Sequence, residues 1–130
     1  MKNLLTILTV LLLSQSLLSQ LSLDLEKSKI KWTGKKITNA SHWGSLSFLE
    51  ANLDFDGDDL VGGKFTVDMN SMSVDDIQGR GKQRLEGHLR NEDFFDVENH
   101  KEAILLFNER VPLNNGVYEV TGTLTIKGIS

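Results

Sequence analysis

ANLDFDGDDLVGGKFTVDM, residues 51–69, decides the fold. Ala51, Leu53 and Phe55 alternate with Asn52 and Asp54, and Phe65, Val67 and Met69 alternate with Lys64, Thr66 and Asp68. A period of two sends successive side chains to opposite faces of a strand, so each run has one apolar face and one wet face. Between the runs stands Asp56-Gly57-Asp58-Asp59, a turn signal, and Gly62-Gly63 lets the returning chain bend or bulge. The stretch therefore reads as two antiparallel strands of a half-buried sheet. Strands of a buried parallel sheet would instead be apolar on both faces.

The same period extends outward in both directions. Ile30 and Trp32 alternate with lysines and Thr33, and Leu46 and Phe48 alternate with Ser45 and Ser47. Tyr118, Val120, Gly122, Leu124 and Ile126 alternate with Glu119, three threonines and Lys127. Asn114-Asn115-Gly116 precedes this last strand, and Asn-Gly favours the positive φ angles of a tight hairpin. Pro112, the only proline, lies just before that turn, where a missing N–H does no harm. Residues 103–107 (AILLF) are apolar on both faces, which predicts a cover over the outer one. Residues 73–98 break the pattern. Leu85 and Leu89 stand four apart, and GKQRLEGHL (residues 81–89) reads as a two-turn helix that needs a packing partner, because Gly81 and Gly87 weaken it. The order is three strands, a helix, then two strands: a mainly β, antiparallel sheet with one short helix inserted. Five alternating strands would leave an apolar edge uncovered, so the barrel reads as incomplete, its closing strands expected either beyond Ser130 or from another chain.

Composition narrows the function. With 39% apolar and 25% charged residues the chain is ordinary for a globular domain, and 130 residues make one domain. A net charge of −4 and no basic stripe argue against nucleic acid. No cysteine is present, which excludes disulfides, thiol catalysis and the common structural zinc sites. The first residues read as an export signal: Lys2, an apolar run from Leu4 to Leu13, then SQSLLSQ. The run is too short for a bilayer core of about 30 Å, which needs about 20 residues. The expected division is a signal peptide over 1–19, cleaved near Ser19, and one domain over 20–130, periplasmic or secreted.

EGHLRNEDFFDVENH, residues 86–100, crowds His88 among carboxylates. Glu86 and His88 are two apart on a helix and point about 200° from each other, and no His-Glu-x-x-His pattern occurs. A nucleophile elbow is absent too, since Gly44-Ser45-Leu46-Ser47-Phe48 lacks the second glycine. Asp54, Asp56 and Asp58 begin a calcium-loop spacing, but Asp59 stands where glycine is needed and Phe65 where glutamate is needed. The expectation is no catalytic residue, no metal and no cofactor. His88 reads as a hydrogen-bonded structural histidine, and Phe94 and Phe95 as a plug at the junction of helix and barrel.

Four motifs carry a family resemblance. SKIKWTGKK (28–36), FTVDMNSMSVDD (65–76), LEGHLRNEDFFDVE (85–98) and YEVTGTLTIKGIS (118–130) resemble segments of the YceI-like family of exported lipid- and polyisoprenoid-binding proteins. The resemblance implies a lipocalin-like antiparallel barrel around a long apolar channel, and non-covalent binding of a long-chain isoprenoid or fatty lipid. Periodicity alone leaves open whether the inward side chains fill a core or line a hollow; the resemblance selects the hollow. On that basis the expected ligand-lining residues are Ile30, Trp32, Leu46, Phe48, Phe55, Phe65, Val67, Phe94, Phe107, Val120, Leu124 and Ile126. The expected partners are the lipid, transient contact with a membrane and a second copy of the chain as homodimer. The alternative function is a structural or protein-interaction module that pairs through the open sheet edge.

Overall fold

The computed structural model describes residues 19–130. The expected signal peptide, but for Ser19, lies outside the described residues. Six strands and one helix follow in the order β1 (Ser19–Ser22), β2 (Ile30–Lys35), β3 (Ser41–Asp56), β4 (Asp59–Val74), α1 (Gly79–Arg90), β5 (Glu102–Pro112) and β6 (Tyr118–Thr125). All pairings are antiparallel, in the order β1-β3-β4-β5-β6, with β2 on the same edge of β3 as β1 but farther along it. The sheet curls into a half-barrel. Four strands precede the helix rather than three; β1 carries too little alternation to be read from sequence.

The turns follow the backbone chemistry of their residues. Asn115 and Gly116 both take positive φ, 61° and 71°, as the β5–β6 hairpin requires. Gly57 takes φ 61° in the two-residue link between β3 and β4.

Two irregularities shape the curl. Leu46 and Phe48 have the opposite parity to Ala51, Leu53 and Phe55, yet all belong to β3, because the register shifts between Phe48 and Glu50. An inserted residue restores the apolar side chains to one face and bends the strand. Farther along, Ser45 pairs with Ser73 and Ser47 with Asp68, so Leu46 alone opposes four residues of β4, Met69 to Met72. The Ser71 hydroxyl holds this fold-out, donating to Asp68 O at 2.6 Å and accepting from Ser47 N at 2.8 Å. The shift brings Met72 and Val74 onto the helix side.

There α1 finds the partner its glycines demand. Leu89 is buried with Met72, Val74 and Val97, and Leu85 packs at their margin. Val74 is wholly buried, and its N–H donates to Glu86 Oε1 at 2.9 Å. Replacing Glu86 with alanine leaves that buried N–H unpaired, at about 2 kcal/mol. Urea denaturation is expected to show this loss for Glu86→Ala and far less for Glu86→Gln.

Residues 91–100 form a knot of turns in which Phe95 N donates to Leu89 O, Val97 N to Arg90 O and His100 N to Asp96 O. Most of the charges in the 86–100 stretch thus sit on an elbow that returns the chain to β5. The expected cover over the outer face of β5 is not found among the described residues: Leu106 points outward and is 52% exposed. Its neighbours Leu105 and Phe107 face inward, paired with Leu124 and Gly122.

Candidate functional site: an apolar hollow and a basic cleft

The concave face of the half-barrel encloses a hollow of about 440 Å³, within the range of small-molecule sites, about 300–1,000 Å³. Its wall is Ile30, Trp32, Leu46, Phe48, Phe65, Val67, Met69, Phe95, Ala103, Leu105, Leu124 and Ile126, all apolar. The single polar atom among these side chains, Trp32 Nε1, donates to Ser73 O at 3.1 Å. The indole therefore offers carbon to the hollow. Strands β2 and β6 lie on opposite edges of the sheet, yet both reach this wall, which is the geometric content of the curl.

Eight of the twelve sequence-selected residues are at the wall: Ile30, Trp32, Leu46, Phe48, Phe65, Val67, Leu124 and Ile126. The other four are elsewhere. Phe107 is buried behind the wall, its ring stacked on Phe65 at 5.9 Å between centroids, and Phe65 in turn meets Phe48 at 5.4 Å. Phe55 and Val120 lie toward the β3–β4 hairpin. There Phe55 pairs with Leu60, Val120 pairs with Arg110, and the Arg110 guanidinium donates to Leu60 O. A register shift between Phe107 and Glu109 brings Arg110 to the face that Val120 shares, so the apolar stripe ends in a charge. Phe94 is 46% exposed and packs on Phe95 and His88 at 5.0 and 5.7 Å. Of the expected plug, Phe95 faces the hollow and Phe94 does not. Met69, Phe95, Ala103 and Leu105 complete the wall. Met69, Ala103 and Leu105 carry the right parity and had a signal in sequence; Phe95 follows from the elbow and had none.

Beside the hollow, on the other side of Trp32, lies a second concavity between α1 and the β2–β3 turn. It comprises two adjoining clefts of about 230 and 270 Å³. Both are lined by Lys36, His42, Leu85 and His88; Lys35, Trp32, Leu89 and Phe94 line one, and Ile77, Gly81 and Arg84 the other. His88 does not make the hydrogen bond expected of it: among the described residues its ring contact is with Phe94. His42 Nδ1 lies 2.9 Å from Asp76 Oδ2. Burial disfavours charge on Asp76, but hydrogen bonds from His42 and from backbone N–H groups outweigh it and hold its carboxyl below the usual range. Asp75 is lowered as well, by hydrogen bonds from the Ser73 and Ser45 hydroxyls.

These lowered carboxyls carry a pH prediction. Each ionises more readily in the folded chain than in the unfolded one. Each therefore stabilises the fold above the unfolded value of about 3.9, and that contribution disappears as pH falls through the lower folded values. Thermal midpoints measured from pH 7 to pH 2 should fall in the acid range. The profile should be flatter in the Asp75→Asn, Asp76→Asn double variant.

Among the described residues no group of three or more histidines and carboxylates is placed to hold a metal ion. A search of curated proteins returns no match for the chain. The sequence matches the YceI-like domain model over residues 21–130, which takes in every element from β2 to β6. The chain belongs to the YceI-like family.

Proposed function

We propose that this member of the YceI-like family binds a long-chain isoprenoid or similar lipid non-covalently, as an exported carrier in the cell envelope. The observation that supports the reading is the wholly apolar wall of the 440 Å³ hollow on the concave face of the half-barrel. Trp32, Phe48, Phe65 and Phe95 border this space, and the Phe48 and Phe65 rings in its wall touch each other at 5.4 Å between centroids.

The energetics suit an apolar tail. Each buried methylene contributes about 0.8 kcal/mol, so a few isoprene units outweigh the cost of ordering ligand and wall. Such burial is non-directional, and one methylene more or less changes affinity by only about 1–3 kcal/mol. The carrier is therefore tolerant of tail chemistry. No step of bond making or breaking enters this reading; the chain supplies shape and exclusion of water.

The test is extraction of the natively purified chain with organic solvent, followed by mass spectrometry. A lipid recovered in stoichiometric amount is the expected result. Trp32 offers a second readout, since it lines the hollow while Trp43 is exposed: lipid titration should change the emission of the Trp43→Phe variant. Protein that is free of lipid and whose Trp32 emission is indifferent to added isoprenoids would refute the carrier.

A further inference from the structure

Among the described residues, Ile37 is the most exposed of the large apolar side chains. Its position explains why. Lys36, Ile37, Thr38 and Asn39 form a β-turn in which Asn39 N donates to Lys36 O at 3.0 Å, and Lys36 N donates to Ala40 O at 2.8 Å. Asn39 takes φ 63°, the left-handed residue that follows a type I turn in a short hairpin loop. Ile37 is therefore a central turn residue at the tip of the β2–β3 hairpin. Turn tips favour glycine and small polar residues, so a branched apolar side chain there serves no local purpose.

Cations surround the tip. Lys35 and Lys36 precede it, and Lys36 faces Arg84 of α1 across the cleft. Arg80 stands one helical turn before Arg84, on the same side of α1. All of these are exposed, and among the described residues none of them joins an ion pair. Nearby carboxylates are engaged: Asp76 by His42, and Glu86 by Lys82 and the Val74 N–H. Phe94, also exposed, lines the cleft with Lys35 and Lys36, and it follows Glu92 and Asp93 in the elbow.

The far end of the sheet has the opposite charge. The β3–β4 and β5–β6 turns lie together there, because β4 begins where its antiparallel partner β5 ends. That end exposes apolar groups too, Val111, Leu113 and Val117. It shares them with Asp56, Asp58, Asp59, Glu109 and Glu119, and its arginine, Arg110, pairs with Asp59. A molecule charged oppositely at its two ends turns its basic end toward an anionic surface.

We propose that the β2–β3 end docks on an anionic lipid bilayer, with Ile37 entering the headgroup layer and Lys35, Lys36, Arg80 and Arg84 held above it. The proposal goes beyond the carrier reading and needs no lipid in the hollow. A single protruding side chain suits a fluid surface that closes around it; a protein partner would need a matching pocket. Basic residues supply the attraction and the apolar tip supplies the depth. One aliphatic anchor opposed by Glu92 and Asp93 gives a contact that is readily reversed.

The test is co-sedimentation of the natively purified chain with vesicles, one set of phosphatidylcholine alone and one of phosphatidylglycerol and phosphatidylcholine in equal parts. Binding to the anionic set is expected to be at least about 10-fold tighter, with a preference that shrinks as salt rises. The Lys35→Gln, Lys36→Gln double variant should lose about 10- to 30-fold on that set, and Ile37→Ser about 5- to 10-fold. Leu113→Ser, at the acidic end, should lose nothing. These side chains are exposed, and circular dichroism checks each fold. The chain has no cysteine, so Ile37→Cys and Leu113→Cys each accept one polarity-sensitive dye. The dye at 37 should shift to the blue on anionic vesicles and the dye at 113 should not. Equal binding to the two vesicle sets overturns the proposal, as does a shift at 113 without one at 37. So does an Ile37→Ser variant that binds as the unaltered chain does. Absence of vesicle binding, with a polyglutamate peptide held through Lys35 and Lys36, overturns it in favour of an acidic protein partner. None of these results bears on the carrier, which is tested by the lipid recovered on extraction.

Discussion

Gly44→Val is expected to cost the protein about 4 kcal/mol or more, enough to unfold much of a marginally stable domain. Gly44 is buried in β3, with Ser73 of β4 on one side and the Trp32 ring across the pair with β2. A Cβ placed there would stand 2.7 Å from Trp32 ring atoms and well inside contact distance of the Ser73 carbonyl oxygen. The obstacle is backbone and a rigid indole, so neither can give way cheaply. The same oxygen accepts the Trp32 Nε1 hydrogen bond, and displacing it would also unpair the indole N–H. Gly34, two residues beyond Trp32 on β2, is the control: a Cβ there would lie 3.8 Å from the ring, at ordinary contact distance. Urea denaturation of the two variants should show a collapsed midpoint for Gly44→Val and a small change for Gly34→Ala. If Gly44→Val kept the midpoint of the unaltered chain, the close approach of β3 to Trp32 would be wrong.

Leu105→Asp should abolish lipid binding, weakening it at least about 100-fold, or about 3 kcal/mol, whereas Leu106→Asp should leave it intact. The two leucines are adjacent on β5. Leu105 pairs with Phe65 and Leu124 and lines the hollow; Leu106 pairs with Lys64 and Thr123 and points to solvent. A carboxylate among Phe65, Leu124 and Ile126 must either stay hydrated, which keeps the tail out, or be stripped of water, which costs several kcal/mol. The same charge one residue along replaces an exposed apolar side chain and faces water, Lys64 and Thr123. Lipid retention after extraction, with circular dichroism to confirm the fold of both variants, decides the matter. Equal retention by the two would mean that the tail does not lie where the hollow is.

How much of this was legible follows from what alternation can and cannot carry. Period two is local: Ile30 and Trp32, or Phe65 and Val67, declare one face of a strand without reference to anything distant. The Asn115-Gly116 turn was equally local, because positive φ is a demand on those two residues alone. The helix over Gly79–Arg90 could be foreseen within two residues from Leu85 and Leu89. Alternating runs supplied eight of the expected residues that stand at the hollow, while Met69, in the same run as Phe65 and Val67, was not among those expected. Where a register shift intervened the same logic lost its footing: Val120 has the parity of Leu124 but lies opposite Arg110, past the shift after Phe107. Phe94 and Phe95 could not be separated at all, because a turn's hydrogen bonds, not a period, aim them.

The basic cleft was invisible for a different reason. Lys35 and Lys36 belong to the end of β2 and its turn, His42 to β3, and Arg84 and His88 to α1. No spacing in the chain relates them, and each by itself is an ordinary polar side chain. Their meeting depends on where α1 is laid across the sheet. That is settled by Val74, Met72 and Leu89 in the packed layer and by the Glu86 bond to Val74 N. Chain order alone was therefore sufficient for the class of element and for which side of each strand is apolar, since both arise from bonds and sterics within a few residues. Tertiary structure decided that the apolar sides surround a space and that five basic groups gather in the clefts beside it, because enclosure and charge clustering are properties of surfaces brought together from distant parts of the chain.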